Sequence, residues 1–189
     1  MNHDDLVALI QDGVTAKGGR WADLGAGEGA FTLALADLLG PGSHITAVDK
    51  DAGSLRRLAS GPLTRATPLS PTLSPRRERV TIDTLVADFT RELPLSGLDG
   101  VVMANSLHFV RDKAPVLESV RQMLRPGGAL IVVEYNADRG NPWVPHPFTY
   151  ATWERLAAAA GFEQTQRLRT HPSRYFGSMY SAASIRPRQ

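Results

Sequence analysis

The fold is decided by Trp21-Ala22-Asp23-Leu24-Gly25-Ala26-Gly27-Glu28-Gly29-Ala30-Phe31. This stretch begins as a short apolar strand, passes through three alternating glycines and continues with apolar residues at helical spacing. Because glycine has no Cβ, a glycine turn between a strand and a helix lets backbone N–H groups approach a ligand closely. The following helix N-terminus adds unsatisfied donors and the positive end of its dipole. The stretch therefore predicts a site for an anionic group of a ligand.

Strands and helices alternate on both sides of this stretch. The pattern predicts strands at 20–24, 45–48, 80–87, 99–104 and 129–135, and helices at 3–17, 31–39, 52–60, 113–125 and 149–160. The tail, 162–185, predicts two further strands joined near His171-Pro172-Ser173. We expect an α/β fold with a doubly wound, mostly parallel seven-stranded sheet, helices on both faces and an antiparallel C-terminal edge hairpin.

Residues 61–79 differ in composition from the segments around them. They contain Pro62, Pro68, Pro71 and Pro75 among Ser, Thr and Arg, and few large apolar residues. Such a segment buries too little surface to offset its ordering entropy. We expect a flexible Pro/Arg-rich insertion, peripheral to the ligand crevice, within one domain that spans residues 1–189.

Bulk composition limits the function classes. The chain has 189 residues, is 42% hydrophobic and 21% charged, and has a formal net charge of +2 and no cysteine. These values fit a globular enzyme domain, exclude disulfides and thiolate metal ligands, and are compatible with a reducing cytoplasm. The small charge speaks against nucleic acid, no apolar run is long enough for a membrane span, and no metal-ligand cluster is visible. The sequence does not indicate an oligomeric state.

Several polar residues follow predicted strands. The glycine turn follows the first strand, Asp49 the second, Asp88 the third, and 105–108 the fourth. Right-handed crossovers bring the carboxyl ends of parallel strands to one edge of the sheet, where ligands bind in such folds. We expect these residues to share one crevice.

The residues at this edge resemble those of the class I S-adenosylmethionine-dependent methyltransferases. The segment 23–29 looks like their first motif, and Asp49 matches the acid that binds the ribose hydroxyls. Asp88 followed by Phe89 resembles the motif that contacts adenine, and 124–128 resembles the family's turn into strand five. The resemblance covers about residues 18–185, except 61–79.

The resemblance implies S-adenosylmethionine as cofactor and a set of cofactor-binding residues. The implied set is Asp23, Gly25, Ala26, Gly27, Gly29, Asp49, Lys50, Asp88, Phe89, Asn105 and Ser106. Asp23 either supports the turn or reaches the cofactor's amino group. For Asn105 and Ser106, hydrogen bonding within the loop is the structural alternative.

The residues do not fix the catalytic group. Methyl transfer needs a base only when the acceptor must lose a proton. His108 is the candidate base, with packing or capping before the next helix as the alternative. Trp143 and His146 follow the fifth strand and form either a lid or ordinary packing, and Glu134 either faces the site or ends its strand.

Two other functions remain open. Gly25-x-Gly27-x-x-Ala30, with Asp49 as the ribose acid, also satisfies the loose fingerprint of an NAD(P)-dependent oxidoreductase. A non-catalytic S-adenosylmethionine-binding module is the other alternative. Within the methyltransferase interpretation, the Asn105–Val110 stretch is more similar to that of enzymes acting on small molecules, and no nucleic-acid-type Asn/Asp-Pro-Pro-aromatic motif follows the fourth strand. The expected partner is therefore an unidentified small-molecule acceptor.

Overall fold

A computed structural model describes residues 1–61 and 79–188. Most of the predicted insertion at 61–79 therefore lies outside the described residues. The helices are α1 His3–Ile10, α2 Ala30–Leu39, α3 Ala52–Ala59, α4 Ala114–Met123 and α5 Tyr150–Ala159. The strands are β1 Gly19–Leu24, β2 Ser43–Asp49, β3 Thr81–Val86, β4 Leu98–Ala104, β5 Leu124–Tyr135, β6 Glu163–Ser173 and β7 Gly177–Ile185.

The strands form one sheet in the order β3-β2-β1-β4-β5-β7-β6. β1 to β5 are parallel, whereas β7 is antiparallel to both β5 and β6. The predicted seven-stranded, mostly parallel sheet with an antiparallel C-terminal hairpin is confirmed. The order reverses between β1 and β4, and this topological switch point is where such sheets bind ligands.

Helices cover both faces of the sheet because its central strands are apolar on both sides. On one face, α1 and α2 pack on Trp21, Ile45 and Ile131. On the other face, α4 and α5 pack on strand residues such as Val101 and Leu130. This two-sided burial is the expected property of a parallel sheet between helical layers and confirms the doubly wound class.

Three local predictions differ from the structure. The first helix ends at Ile10 and continues as a 3₁₀ turn to Gly13, where the backbone packs closely on Ile131. The hairpin turn lies at 174–176 rather than near 171–173, since Pro172 stays in edge strand β6, where a missing N–H is tolerated. β5 begins at Leu124, because 125–128 remain in the strand through a register shift. The loop 87–97, where no helix was predicted, joins β3 to β4.

Replacing Gly100 with alanine should destabilise the protein by about 3 kcal/mol, near the top of the range for overpacking. Gly100 pairs with Trp21 across β1 and β4, and an added Cβ would stand 2.2 Å from the indole ring. Urea unfolding of Gly100→Ala measures the loss. The same substitution should cost less in a Trp21→Leu background, and an equal cost in both backgrounds would contradict this account.

Candidate functional site

The glycine turn after β1 is held in place by β2 and shaped by positive φ angles. Gly25 and Ala26 donate their backbone N–H groups to Val48 O at 2.8 and 3.0 Å. Gly25, Gly27 and Gly29 have φ values of 81°, 54° and 85°, which L side chains rarely adopt. The backbone conformation of the turn thus favours glycine at all three positions.

The surroundings of the three glycines differ. A Cβ on Gly29 would stand 2.3 Å from Leu58 of α3, and a Cβ on Gly25 would stand 2.4 Å from the Cβ of Ser106. A Cβ on Gly27 would meet nothing within 4 Å. Gly25 and Gly29 therefore permit close packing inside the protein, while Gly27 faces open space.

Asp49, at the end of β2, fixes the turn through backbone hydrogen bonds. Its Oδ2 accepts from Gly27 N at 2.8 Å, and its Oδ1 accepts from Asp51 N at 2.8 Å. Asp51 in turn caps α3 by accepting from Gly53 N. The predicted ribose-binding acid therefore also orders the glycine turn.

A cavity of about 250 Å³ opens beside Asp49. Seven of the predicted cofactor residues line it: Gly25, Asp49, Lys50, Asp88, Phe89, Asn105 and Ser106. Phe109, which is 60% exposed, adds a second aromatic wall. The cavity therefore has acids and a lysine near the ends of β2 and β3, and apolar walls from two phenylalanines.

Asp88 is ionised within a local turn. Its Oδ1 accepts from the backbone N–H and the hydroxyl of Thr90 at 2.9 and 2.7 Å. These hydrogen bonds, the backbone one first, lower the pKa of Asp88 from its usual value. Asp88 thus remains an acceptor-only carboxylate beside Phe89.

A second cavity, of about 420 Å³, lies on the other side of the turn. Asp23, Gly25, Ala26 and Asn105 line it, together with Phe31 and other apolar residues. Asp23 is buried and accepts a hydrogen bond from Thr32 Oγ1 at 2.6 Å. Burial raises the pKa of Asp23 to about 6, opposed by the Thr32 bond, while the nearby charge of Asp49 adds to the rise.

The two cavities share Gly25 and Asn105. Asn105 has φ 52°, a strained value for a residue other than glycine. Its backbone N–H donates to Val133 O at 2.8 Å, but its buried side-chain Oδ1 has no hydrogen-bond partner among the described residues. A buried acceptor without a donor is costly and points to a donor that a ligand supplies.

Ser106 has a structural contact. Its hydroxyl donates to Leu24 O at 2.7 Å, which ties the loop after β4 to the end of β1. Its hydroxyl donor is thus already engaged, although its side chain still forms part of the first cavity wall.

His108 lies deeper than the cavity walls. It is 2% exposed, lines neither cavity, and contacts Phe109 with a ring-centroid distance of 4.3 Å. Its backbone N–H and ring Nδ1 contact the two carboxylate oxygens of Glu134 at 3.1 and 2.7 Å. With Glu134 ionised, the Nδ1–H donates and Nε2 is left as an acceptor.

The sequence left Glu134 open between facing the site and ending its strand, and sequence reasoning missed both the contact of Glu134 with His108 and the role of Lys113. Glu134 is fully buried, and its position inside an apolar strand was the signal that it needs a buried partner. Lys113 donates from Nζ to Val110 O at 2.9 Å and His146 O at 3.1 Å, while burial lowers its pKa. His146 N donates to His108 O at 3.0 Å. These bonds join the loop after β4 to the loop after β5.

Trp143, for which a lid or ordinary packing was expected, is 78% exposed and lines neither cavity. Its backbone N–H donates to Asn141 Oδ1 at 2.9 Å. Over residues 1–61 and 79–188 we find no group of three or more His, Asp or Glu side chains that could hold a metal ion. Nor is any helix in these ranges both long enough and apolar enough to span a membrane.

The raised pKa of Asp23 makes stability depend on pH. The unfolded chain releases this proton near pH 3.8 but the folded protein only near pH 6, so the stabilisation that Asp23 contributes is fully present below the first value and is lost as pH rises through the second. The shift is equivalent to about 3 kcal/mol. Urea unfolding from about pH 4 to pH 7 should show this fall in the wild type and not in Asp23→Asn. Glu92→Gln, at an exposed position, should retain it; identical pH profiles for the wild type and Asp23→Asn would refute the assignment.

Curated proteins from two mycobacterial species are similar to this chain in sequence. The curated relatives include uncharacterized methyltransferases of Mycobacterium tuberculosis and Mycobacterium bovis, each 33% identical over 114 residues. That alignment covers 60% of this chain, and the chain spans about half the length of these relatives, 49%.

Solved structures share the fold across nearly the whole chain. An S-adenosylmethionine-dependent methyltransferase from Methanosarcina mazei has a TM-score of 0.72 at 16% identity, covering 95% of this chain and 98% of its own. The Burkholderia thailandensis 1,6-didemethyltoxoflavin-N1-methyltransferase, bound to 1,6-didemethyltoxoflavin and S-adenosylhomocysteine, has a TM-score of 0.68 at 20% identity. That match covers 98% of this chain and 78% of the other.

The family itself is identified by sequence. Residues 22–130, more than half of the chain, match the family model described as a methyltransferase domain. This range contains the glycine turn, Asp49, Asp88 and the loop after β4. The predicted resemblance is confirmed, and the chain belongs to the methyltransferase domain family, within the class I S-adenosylmethionine-dependent group.

Proposed function

We propose that this chain transfers a methyl group from S-adenosylmethionine to a nucleophilic atom of a small molecule by in-line displacement. The observation that carries the proposal is the pair of cavities that meet at Gly25 and Asn105, where the buried Asn105 Oδ1 lacks a partner. A ligand that spans both cavities would pass this atom and can offer it a donor.

The residues present fit this cofactor. Asp49 can accept hydrogen bonds from a ribose diol, and Phe89 offers an apolar face to adenine while Asp88 or its backbone meets the adenine edge. Asp23 lies in the second cavity, with Asn105 at its entrance, where both can meet the ammonium of the amino-acid end. When bound, the cofactor supplies a methyl group on a sulfonium, which is already activated for displacement.

The protein's contribution to such a reaction is orientation and exclusion of water. We assign His108 as the proton acceptor for an acceptor that must lose a proton, because the contact with Glu134 leaves Nε2 available. Phe109 contacts the His108 ring, lines the first cavity and is 60% exposed, and we propose that movement of its side chain opens His108 to the site.

Two observations support a small-molecule acceptor. The B. thailandensis enzyme with the same fold is bound to 1,6-didemethyltoxoflavin, a small molecule. In addition, acidic and basic residues alternate along the described loops around the cavities, rather than forming the basic stripe expected of a nucleic-acid-binding protein.

The experiment that tests the function is calorimetry followed by a transfer assay. S-adenosylhomocysteine and S-adenosylmethionine should bind, whereas NAD should not. Labelled methyl groups from S-adenosylmethionine should enter a small-molecule extract, but not an RNA fraction. Tight NAD binding without S-adenosylmethionine binding would replace this proposal with an oxidoreductase, and cofactor binding without any labelled product would support a non-catalytic module.

A further inference from the structure

The exposed large aromatic side chains of the described residues lie on three loops at the carboxyl edge of the sheet. Phe109 follows β4 and is 60% exposed, Trp143 follows β5 and is 78% exposed, and Tyr175 lies in the β6–β7 turn and is 77% exposed. Exposed aromatic groups that concentrate at one edge indicate a binding surface rather than chance exposure.

The three loops are connected to one another. Tyr175 packs edge-on against Tyr135 at 6.4 Å, and Tyr135 lies 5.8 Å from the ring of His108, which contacts Phe109. The loop that carries Trp143 is attached to His108 O through the hydrogen bond from His146 N. Ring contacts thus link Phe109 to Tyr175, and a backbone hydrogen bond links the loop of Trp143 to the same segment. We call these three adjoining loops the rim, and Phe109 places the rim at the first cavity.

Each of these loops also carries an exposed arginine. Arg111 is two residues after Phe109, Arg139 is four residues before Trp143, and Arg174 directly precedes Tyr175. Within the part of the chain that the structure describes, none of these three arginines forms a hydrogen bond or an ion pair. Three guanidinium groups are thus available to a ligand at the rim.

The acids on the same loops are already used by the backbone. Asp112 accepts from Ala114 N at 3.2 Å, and Asp138 accepts from Thr149 N at 3.2 Å. Each of these carboxylates thus accepts a backbone N–H near the start of a helix, whereas the three guanidinium groups have no hydrogen-bond partner among the described residues. The rim therefore offers unsatisfied donors for an anion, together with aromatic faces.

We infer that this rim, formed by Phe109, Trp143, Tyr175, Arg111, Arg139 and Arg174, binds a planar small molecule that carries a carboxylate or phosphate. The inference rests on the proposed function, because it assigns the rim to the methyl acceptor. Aromatic faces stack on a planar ring, and a guanidinium pairs with a carboxylate or phosphate through two parallel hydrogen bonds.

A single anionic group fits the rim better than a nucleic acid. Nucleic-acid binding gains its affinity from many phosphate contacts along a basic stripe. Here each arginine after β4 and β5 has an acid beside it, Asp112 next to Arg111 and Asp138 next to Arg139. The local net charge therefore stays small. We expect the selectivity of the rim for a carboxylate or phosphate to come from the guanidinium groups that have no partner.

Two matched probes test the inference. The protein loaded with S-adenosylhomocysteine is titrated with 2-naphthoate and with 2-naphthamide, which differ only in charge at the same position. Naphthoate should bind at least about tenfold tighter at low salt, and the difference should shrink as salt is added, since exposed charges are screened. The triple variant R111Q/R139Q/R174Q should bind both probes equally and keep the wild-type affinity for S-adenosylhomocysteine.

Matched controls separate charge from stacking. Arg56→Gln, at an exposed position on α3, should leave the preference for naphthoate unchanged. Tyr175→Ser should weaken both probes to the same extent. A missing preference, a preference that survives the triple variant, or a single-stranded RNA oligonucleotide that displaces naphthoate through the same arginines would overturn the inference. If S-adenosylhomocysteine fails to bind, the proposed function is wrong, while the same titration without it still decides the ligand class of the rim.

Discussion

Replacing Asp49 with alanine should weaken binding of S-adenosylhomocysteine by at least about 100-fold, as expected for the loss of two charge-assisted hydrogen bonds. Two effects act together. The variant loses the carboxylate proposed to accept from the ribose diol, and Gly27 N loses the oxygen that accepts from it at 2.8 Å. The turn that faces the cavity then becomes less ordered. Calorimetry with S-adenosylhomocysteine measures the affinity.

The stability of the Asp49 variant checks the structural half of this account. Because Gly27 N and Asp51 N both lose an acceptor, the free energy of unfolding should fall by about 1–2 kcal/mol, and the protein should remain folded. Asp83→Ala is the matched control, since Asp83 is an exposed acid on neighbouring β3 that contacts His44. An affinity of the Asp49 variant within threefold of wild type would remove Asp49 from the cofactor site.

Replacing His108 with alanine should lower kcat by about 100-fold, the lower end of what a general base contributes. Binding of S-adenosylhomocysteine should change little, because His108 lines neither cavity. Steady-state kinetics with an acceptor found by the transfer assay, together with calorimetry, measure the two quantities. Equal losses in turnover and cofactor affinity would make His108 a structural residue.

Two further variants distinguish a loss of catalysis from a loss of folding. His108→Asn keeps a donor toward Glu134 and should restore stability to the alanine variant without restoring turnover. Glu134→Gln keeps the side-chain shape, but its amide can either donate to or accept from Nδ1, so the tautomer that leaves Nε2 as an acceptor is no longer enforced and kcat should fall. Wild-type turnover in His108→Asn would exclude His108 as the proton acceptor.

The sequence predicted the architecture, and it predicted that the residues following the strands meet at one edge, because both depend on local patterns. Apolar strands followed by Asp49, Asp88 or glycine can be recognised residue by residue, and parallel topology then brings their ends together. The predicted boundaries at 124–128 and 171–173 were wrong because they depend on pairing with distant strands and not on local patterns. Gly127 and Gly128 exchange hydrogen bonds with Arg186, and Pro172 pairs opposite Ser178, so distant strands decide where these elements end.

The buried polar contacts behind the cavities join residues that are far apart in the sequence, so local patterns do not predict them. Glu134 and His108 are 26 residues apart, and the Nζ of Lys113 reaches His146 O, 33 residues away. Each of these groups needs a hydrogen-bond partner because burying an unpaired polar or charged group is costly. Which partner is near is determined only by the packing of the whole fold. Asn105 is the intermediate case, since its place after β4 was predictable but its positive φ angle was not.

That angle restricts which amino acids can stand at the junction of the two cavities. At φ 52° a β-branched side chain would clash with its own backbone, whereas asparagine, aspartate and glycine tolerate the left-handed region. Among related proteins with the same loop, these three residue types should therefore predominate at this position, and β-branched residues should be rare. Those with asparagine retain a neutral oxygen at the junction, those with aspartate place a charge there, and those with glycine leave an opening, so this one position should divide the family by the kind of ligand group that fits at the junction of the two cavities.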